Sequence, residues 1–329
     1  MENQTIPVTP TPSALPPKKS KPPLIIGVIV VLGLIGGGVY AFIAPGMSPT
    51  VMLKKSLEKS VEVKSMTFSA TSTGQVENAG DAGFPSNAEF TLTAGGAVDI
   101  TSPESRLFDI SLGINATVKT SSTTGSLAVA ATVLSVNKNF YLTLKNFNAS
   151  YSSTDPKEAN VQMVVMMANG FASSLLNKSI LFTEKDMPTK ATSTKEVFSA
   201  EEKDMVREYV KGMSYVKDIS KVGKESLNDV STTHLKVTVQ NGKEFEDLVK
   251  KIIEKRGEVV DERANDFIKV ASQQVMFDVW IGTSDGLVYE IVTSPIVVED
   301  TKTGAKTTTV QEIVFGNYNT PVTDRKSVV

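Results

Sequence analysis

The sequence contains no cysteine and a single histidine, His234. A chain without cysteine forms no disulfide, has no thiol nucleophile and offers no cysteine for lipid attachment. With one histidine, Cys–His catalysis and most zinc sites are excluded as well. A folded domain of this chain must therefore be stabilised by a hydrophobic core. A cysteine-free exported domain would suit a bacterial envelope.

An excess of charge of one sign is also lacking, because 34 basic residues stand against 36 acidic residues and give a net charge of −2. This balance gives no reason to expect a nucleic-acid partner. The sequence has no glycine-rich phosphate loop and no GxSxG elbow. His234 alternates with Lys236 on the polar side of a predicted strand, which indicates a surface histidine. We therefore predict a protein that is not an enzyme and that has no cofactor and no metal.

Carboxylates are scattered along the chain. Glu201, Glu202 and Asp204 fall in the first turn of a predicted helix, where the helix dipole favours negative charge. They are predicted to stabilise that helix end.

One long apolar run is present, from Leu24 to Ala44, and it is free of charge. A run of about 20 apolar residues can cross a bilayer as a helix. Three lysines between positions 18 and 21 precede it, so the positive-inside bias places the N-terminus in the cytoplasm and residues 48–329 outside. The run is longer than a secretory signal core, and Phe42 makes a poor cleavage site. We predict an uncleaved signal anchor, and thus a single-pass protein of the cell membrane.

The segment that precedes the anchor differs in composition from the rest of the chain. Residues 1–23 are rich in Pro, Thr and Ser and have no apolar periodicity. They are predicted to form a disordered cytoplasmic tail. One extracytoplasmic domain is predicted over residues 48–322, with a flexible C-terminal tail over 323–329.

The periodicity within residues 48–322 changes between that of helices and that of strands. Ser48-Pro49 is a typical helix start. Helices are predicted over 48–64, 161–176, 200–216 and 241–256. Strands are predicted over 65–76, 87–100, 105–119, 126–136, 139–147, 219–227, 232–240, 274–281, 287–294, 296–300 and 306–315. Turns are predicted at 121–125, 285–286 and 302–304. Helices segregated against an antiparallel meander predict an α+β domain.

The second predicted helix of this domain, Val161–Leu176, is apolar nearly all round. A helix of this kind is buried, or it covers something apolar. Its methionines are flexible side chains that adaptable binding surfaces use heavily. Two interpretations stay open at this stage: ordinary core residues, or the lining of a space for a greasy ligand.

Two segments near the C-terminus carry a family resemblance. Met276–Val288 (MFDVWIGTSDGLV) and Ile313–Val322 (IVFGNYNTPV) resemble the aromatic strand and the closing strand of LolA-like lipoprotein carriers and their LppX/LprG-type relatives. The resemblance covers roughly residues 50–322. It implies an antiparallel open half-barrel sheet whose concave face is covered by helices and holds acyl chains. This chain departs from the pattern at Gly282, where an acidic residue is usual, and in the lack of a lipobox cysteine, for which the predicted membrane helix substitutes.

From the residues and the resemblance together we predict a membrane-anchored protein that binds a lipid, an acylated protein or another apolar ligand in a half-barrel cavity. The alternative is an envelope sensor or interaction module whose core is filled and whose partners are proteins. The candidate lining residues comprise apolar side chains of two strands and of the helical lid: Phe108, Ile110, Leu112, Ile114, Phe140, Leu142, Leu144, Met163, Met166, Met167 and Phe171.

Overall fold

The structure is a computed structural model that describes residues 48–320, apart from 61, 78–86, 100, 102–106, 121, 137–138, 155–158, 184–198, 258, 261–264, 266–267, 270 and 300–303. The predicted tails (1–23 and 323–329) and the predicted membrane anchor (24–44) lie outside the described residues. In the part of the chain that is described, no helix is both long enough and apolar enough to span a bilayer.

An open antiparallel sheet of 12 strands forms the framework. The strands are β1 (Ser65–Glu77), β2 (Asn87–Asp99), β3 (Leu107–Lys119), β4 (Thr123–Val136), β5 (Asn139–Ser153), β6 (Ser179–Phe182), β7 (Val216–Leu227), β8 (Val230–Val239), β9 (Val275–Gly282), β10 (Val288–Thr293), β11 (Ile296–Glu299) and β12 (Lys306–Gly316). Their order across the sheet is β6-β5-β4-β3-β2-β1-β12-β10-β9-β8-β7, and β11 pairs with β12. The pairing of β1 with β12 joins two meanders into one sheet.

The helices of the described chain are α1 (Pro49–Ser60), α2 (Ala159–Leu175), α3 (Ala200–Gly212) and α4 (Lys243–Lys255). At the start of α1, the Val51 amide donates to the Ser48 hydroxyl at 3.4 Å, as expected of an N-cap serine. A reciprocal capping pair begins α3: the Glu202 amide donates to Ser199 Oγ at 3.2 Å, and the Ser199 amide donates to Glu202 Oε2 at 2.6 Å.

Most predicted elements agree with the structure to within a few residues, with three differences. β5 continues to Ser153, six residues beyond the predicted end at 147. β4 begins at Thr123, so Thr123–Gly125 pair with β5 and are not part of the turn. β6 was not predicted from the sequence, because four consecutive residues without polar alternation give no strand signal. The predicted turn at 302–304 lies largely outside the described residues, whereas 285–286 do connect β9 to β10.

The hydrophobic core lies on one face of one half of the sheet. Leu235 and Ile281 are 0% exposed there, beneath Met52 and Leu53 of α1. Tyr209 of α3 packs against the same cluster. The expectation that helices cover the whole face is therefore corrected: among the described elements, α1 and α3 pack over the half built from β7 to β10 and β12, which we call the covered half.

Candidate functional site

The face that carries the core continues without interruption into β2–β6. Strand register shows this, because directly paired residues of neighbouring antiparallel strands project to the same side. One row of paired positions crosses β10, β12, β1, β2, β3, β4 and β5: Ile291, Ile313, Ala70, Ala94, Leu112, Ala131 and Leu144. We call the β2–β6 part of this face the open face.

The open face is apolar at nearly every paired position. The predicted strand candidates share it with additional apolar residues of β2, β4 and β6: Phe90, Leu92, Val98, Val129, Val133, Ile180 and Phe182. The polar members are Thr123, Ser135, Tyr151 and Ser153. No Asp, Glu, Lys or Arg occupies a paired position on this side of β2–β6, and Glu89, Asp109 and Lys119 lie on the opposite side. The surface therefore offers apolar contacts without charge.

The apolar side chains of the open face are only partly shielded from water. Leu112 and Ile114 are 42% and 41% exposed, and none of the described apolar side chains of β2–β6 is fully buried. A contiguous apolar surface of this kind marks a binding site on a folded protein. The open face is thus the candidate functional site.

The seven strand residues predicted to line a cavity all lie on the open face. Across the three strands, Ile110 pairs with Val133, which pairs with Leu142. Phe108, Leu112 and Ile114 follow at two-residue spacing on β3. Phe140 and Leu144 flank Leu142 in the same way on β5. The structure therefore brings these side chains together on one side of the sheet.

The four helix residues predicted as a lid are placed elsewhere. Met163, Met166, Met167 and Phe171 of α2 are between 59% and 70% exposed to solvent. Their helix packs against β5, with Ala172 buried in the contact. The prediction of a lid that lies over the apolar face is corrected to a helix at its edge.

Hydrogen bonds explain why α2 lies at this edge. β6 pairs with Phe140–Thr143, and the edge of β5 beyond Thr143 is not continued by a strand among the described residues. The Ala149 amide donates to Asn169 Oδ1 at 3.0 Å, and Asn169 Nδ2 donates to the Ala149 carbonyl at 2.7 Å. The Asn177 amide donates to the Leu144 carbonyl at 2.8 Å. The helix thereby satisfies backbone groups that an uncovered strand edge would leave open.

A polar cluster occupies the opposite face of the covered half. His234 Nδ1 lies 2.8 Å from Glu225 Oε1, and its Nε2 lies 2.7 Å from Asp278 Oδ1. The imidazole stacks on Trp280 at 4.3 Å between ring centroids, and Trp280 Nε1 donates to Glu225 Oε2 at 2.8 Å. Burial lowers the pKa of His234, but the bonds to Asp278 and Glu225 outweigh it, so the pKa lies above 6.5. His234 is on the predicted polar face; its partners come from β7 and β9 and could not be read from its own strand.

The two segments that carry the family resemblance contact each other, because the Tyr318 hydroxyl donates to the Val288 carbonyl. Asp285 Oδ1 accepts from the Leu287 amide at 3.0 Å, and Tyr289 donates its hydroxyl to Asp285 Oδ2 at 2.7 Å. A Cβ on Gly282 would lie 2.2 Å from Asp285 Oδ1. The carboxylate of this turn thus comes from Asp285, in the space that glycine at position 282 leaves. The Asn319 amide donates to the Ser65 carbonyl at 2.8 Å and fixes the chain after β12 to β1.

Comparison with known proteins gives matches among solved structures. No family model and no curated protein matches this chain. LprF from Mycobacterium bovis is 14% identical, with 84% of this chain and 94% of that chain covered and a TM-score of 0.35. The lipoprotein LppX from Mycobacterium tuberculosis is 11% identical, with 84% and 98% covered and a TM-score of 0.33.

A third match is a beta-barrel-like protein of a domain of unknown function from Brucella abortus. It is 9% identical, with 78% of this chain and 100% of that chain covered and a TM-score of 0.27. With TM-scores below 0.5, these matches carry no conclusion about what this chain binds.

Proposed function

We propose that this protein is a membrane-anchored extracytoplasmic protein that binds the acyl chains of a lipid or of an acylated protein on the open face. The observation that carries the proposal is a charge-free apolar surface, continuous with the core of the protein, on which Leu112 and Ile114 remain more than 40% exposed. Binding is passive: the ligand covers apolar surface, and no bond is made or broken.

The hydrophobic effect is sufficient to hold such a ligand. Each methylene group removed from water contributes about 0.8 kcal/mol, and each Å² of apolar surface about 25 cal/mol. An acyl chain laid across β3 and β5 would contact Leu112, Ile110 and Leu142. Both the chain and these three side chains would then be removed from water. The strands supply a preformed surface, which limits the ordering cost of binding.

The predicted anchor supports an apolar ligand of membrane origin. The anchor is predicted to end at Ala44, and α1 begins at Pro49. A connection this short would hold the domain next to the bilayer, where acyl chains are concentrated. The anchor also argues for a tethered acceptor or a local extractor, since a fixed protein does not shuttle.

Photo-crosslinking with full-length protein tests the proposal. The chain is reconstituted in vesicles of phosphatidylethanolamine and phosphatidylglycerol that contain a phospholipid with a diazirine in its acyl chain. After irradiation, the sites of insertion are mapped by peptide mass spectrometry. We expect adducts in β3 and β5 peptides and none in β8 peptides, which belong to the covered half.

The variant Leu112→Asp is expected to lose these adducts. Ser111→Asp is its matched control, because Ser111 is also exposed and its side chain projects from the other side of the same strand. Retained adducts in a folded Leu112→Asp protein would contradict binding on the open face. An absence of adducts in the unsubstituted chain would instead favour the interaction-module alternative.

A further inference from the structure

Helix α2 exposes large apolar side chains and carries no charge. From Ala159 to Leu175 it contains no acidic and no basic residue. Met166, Met167 and Phe171 are 67%, 69% and 70% exposed, and Met163 is 59% exposed. We call these four residues the α2 patch. They are separate from the open face, because the helix packs along the edge of β5.

Three polar side chains of α2 are hydrogen-bonded within the protein. Ser173 donates its hydroxyl to the Gly170 carbonyl and Ser174 donates to the Phe171 carbonyl, both at 2.7 Å. Asn169 has both amide atoms bonded to the Ala149 backbone. In hydrocarbon an unsatisfied polar group costs several kcal/mol. These three side chains can therefore enter an apolar medium without that cost, and the remaining polar side chains of α2, Asn160 and Gln162, lie in its first turn.

Apolar side chains of β6 are also exposed near the α2 patch. Ile180, Leu181 and Phe182 of β6 are 43%, 47% and 36% exposed at the same edge of the sheet. The predicted anchor ends at Ala44 and α1 begins at Pro49, so the domain is expected to lie next to the bilayer. α1 contacts β10, and β5 lies six strands from β10, or roughly 29 Å at about 4.8 Å per strand. A domain that tilts about this short connection brings the edge that carries α2 to the bilayer.

We propose that α2 docks on the surface of the bilayer, with the α2 patch inserted among the lipid acyl chains. This is a membrane contact beyond the ligand site of the open face. It orients the domain so that the β5–β6 edge of the open face meets the membrane. The contact is hydrophobic, because α2 contributes no basic residue for anionic headgroups.

The lack of cysteine permits a direct test with the full-length chain. Met167→Cys creates a unique site for an environment-sensitive nitrobenzoxadiazole label. Val222→Cys is the matched control, since Val222 is 55% exposed on β7 at the far edge of the sheet. Each labelled protein is reconstituted in phosphatidylethanolamine–phosphatidylglycerol vesicles with and without nitroxide-bearing lipids in both leaflets. We expect a blue shift and a loss of emission by nitroxide quenching at position 167, and neither at position 222.

Two further outcomes decide the inference. Quenching at position 167 that persists in a Leu112→Asp background supports docking even if the open face binds no lipid, so the two proposals can fail separately. Quenching that disappears in that background would assign the signal to lipid on the open face and would overturn docking by α2. Docking by α2 would also be overturned if the label at position 167 is quenched no more than the label at position 222. This outcome includes the case in which a second copy of the chain covers α2 and shields the label from lipid.

Discussion

The covered half and the open face are two parts of one side of one sheet, and both consist of strands with alternating apolar residues. In the covered half, Leu235 and Ile281 are completely buried beneath α1 and α3. On the open face, Leu112 and Ile114 remain exposed because α2 packs at the edge of β5. Alternation thus specifies which side of a strand can be buried, whereas the placement of helices decides whether it is buried.

The largest difference between the two regions should be in the cost of truncating a leucine. Leu235→Ala removes a fully buried side chain, and we expect a loss of about 3 kcal/mol in the free energy of unfolding. Leu112→Ala should lose less than about 1 kcal/mol, because little burial is removed. Urea unfolding of both variants measures this difference, and equal losses would contradict the division into a covered half and an open face.

In the helix layer of the covered half, a buried carboxylate, Glu202, pairs with the partly exposed Arg256. Arg256 Nε donates to Glu202 Oε1 at 2.8 Å and joins the end of α4 to the start of α3. Glu202→Gln should cost on the order of 2 kcal/mol, as expected for a charged hydrogen bond. Glu201→Gln is the control, because Glu201 pairs with Lys255 at an exposed position and should cost almost nothing.

The same carboxylate gives a pH dependence with a defined sign. The hydrogen bond from Arg256, together with that from Ser199, lowers the pKa of Glu202 from 4.5 to about 2. Its contribution to stability is complete above pH 4.5 and is lost as the pH falls towards 2. Unfolding measured across this range should show a steeper acid loss in the unsubstituted protein than in Glu202→Gln. Parallel profiles would contradict the assignment.

Substitution of His234 in the polar cluster of the covered half should change the free energy of unfolding less than Glu202→Gln does. Its pH dependence should have the opposite sign. Because the folded pKa of His234 is raised, its stabilisation is fully present below pH 6.5 and is lost as the pH rises through the folded pKa. We expect His234→Ala to cost about 1 kcal/mol at low pH and less at high pH. Lys236→Ala, on the same side of β8, is the control. A cost that is independent of pH would show that stacking on Trp280 dominates.

The smallest effect on stability is expected for a charge on the open face. Leu112→Asp should change the free energy of unfolding by less than about 1 kcal/mol, because an exposed side chain stays hydrated. Thermal unfolding beside Ser111→Asp measures the change. A loss as large as that of Leu235→Ala would mean that position 112 is enclosed in the folded protein.

The accuracy of the sequence-based predictions depended on periodicity. The seven strand candidates share one face because side chains two residues apart must project to the same side. The position of the four α2 candidates at the edge of β5 could not be predicted, since a helix that is apolar nearly all round has no preferred face. The strand β6 and the neighbours of His234 escaped prediction because they depend on pairing between strands distant in the chain.

Local signals in the sequence specify the elements and their apolar sides, because the alternation of β3, the N-cap at Ser48 and the capping pair at Ser199 each act over a few residues. Which apolar side is covered depends on contacts between parts of the chain that are far apart in the sequence. The pairing of β1 with β12 joins strands from the two ends of the domain, and Asn169 fixes α2 to β5 through two hydrogen bonds. Such contacts depend on distances between remote residues, which periodicity along the chain does not encode.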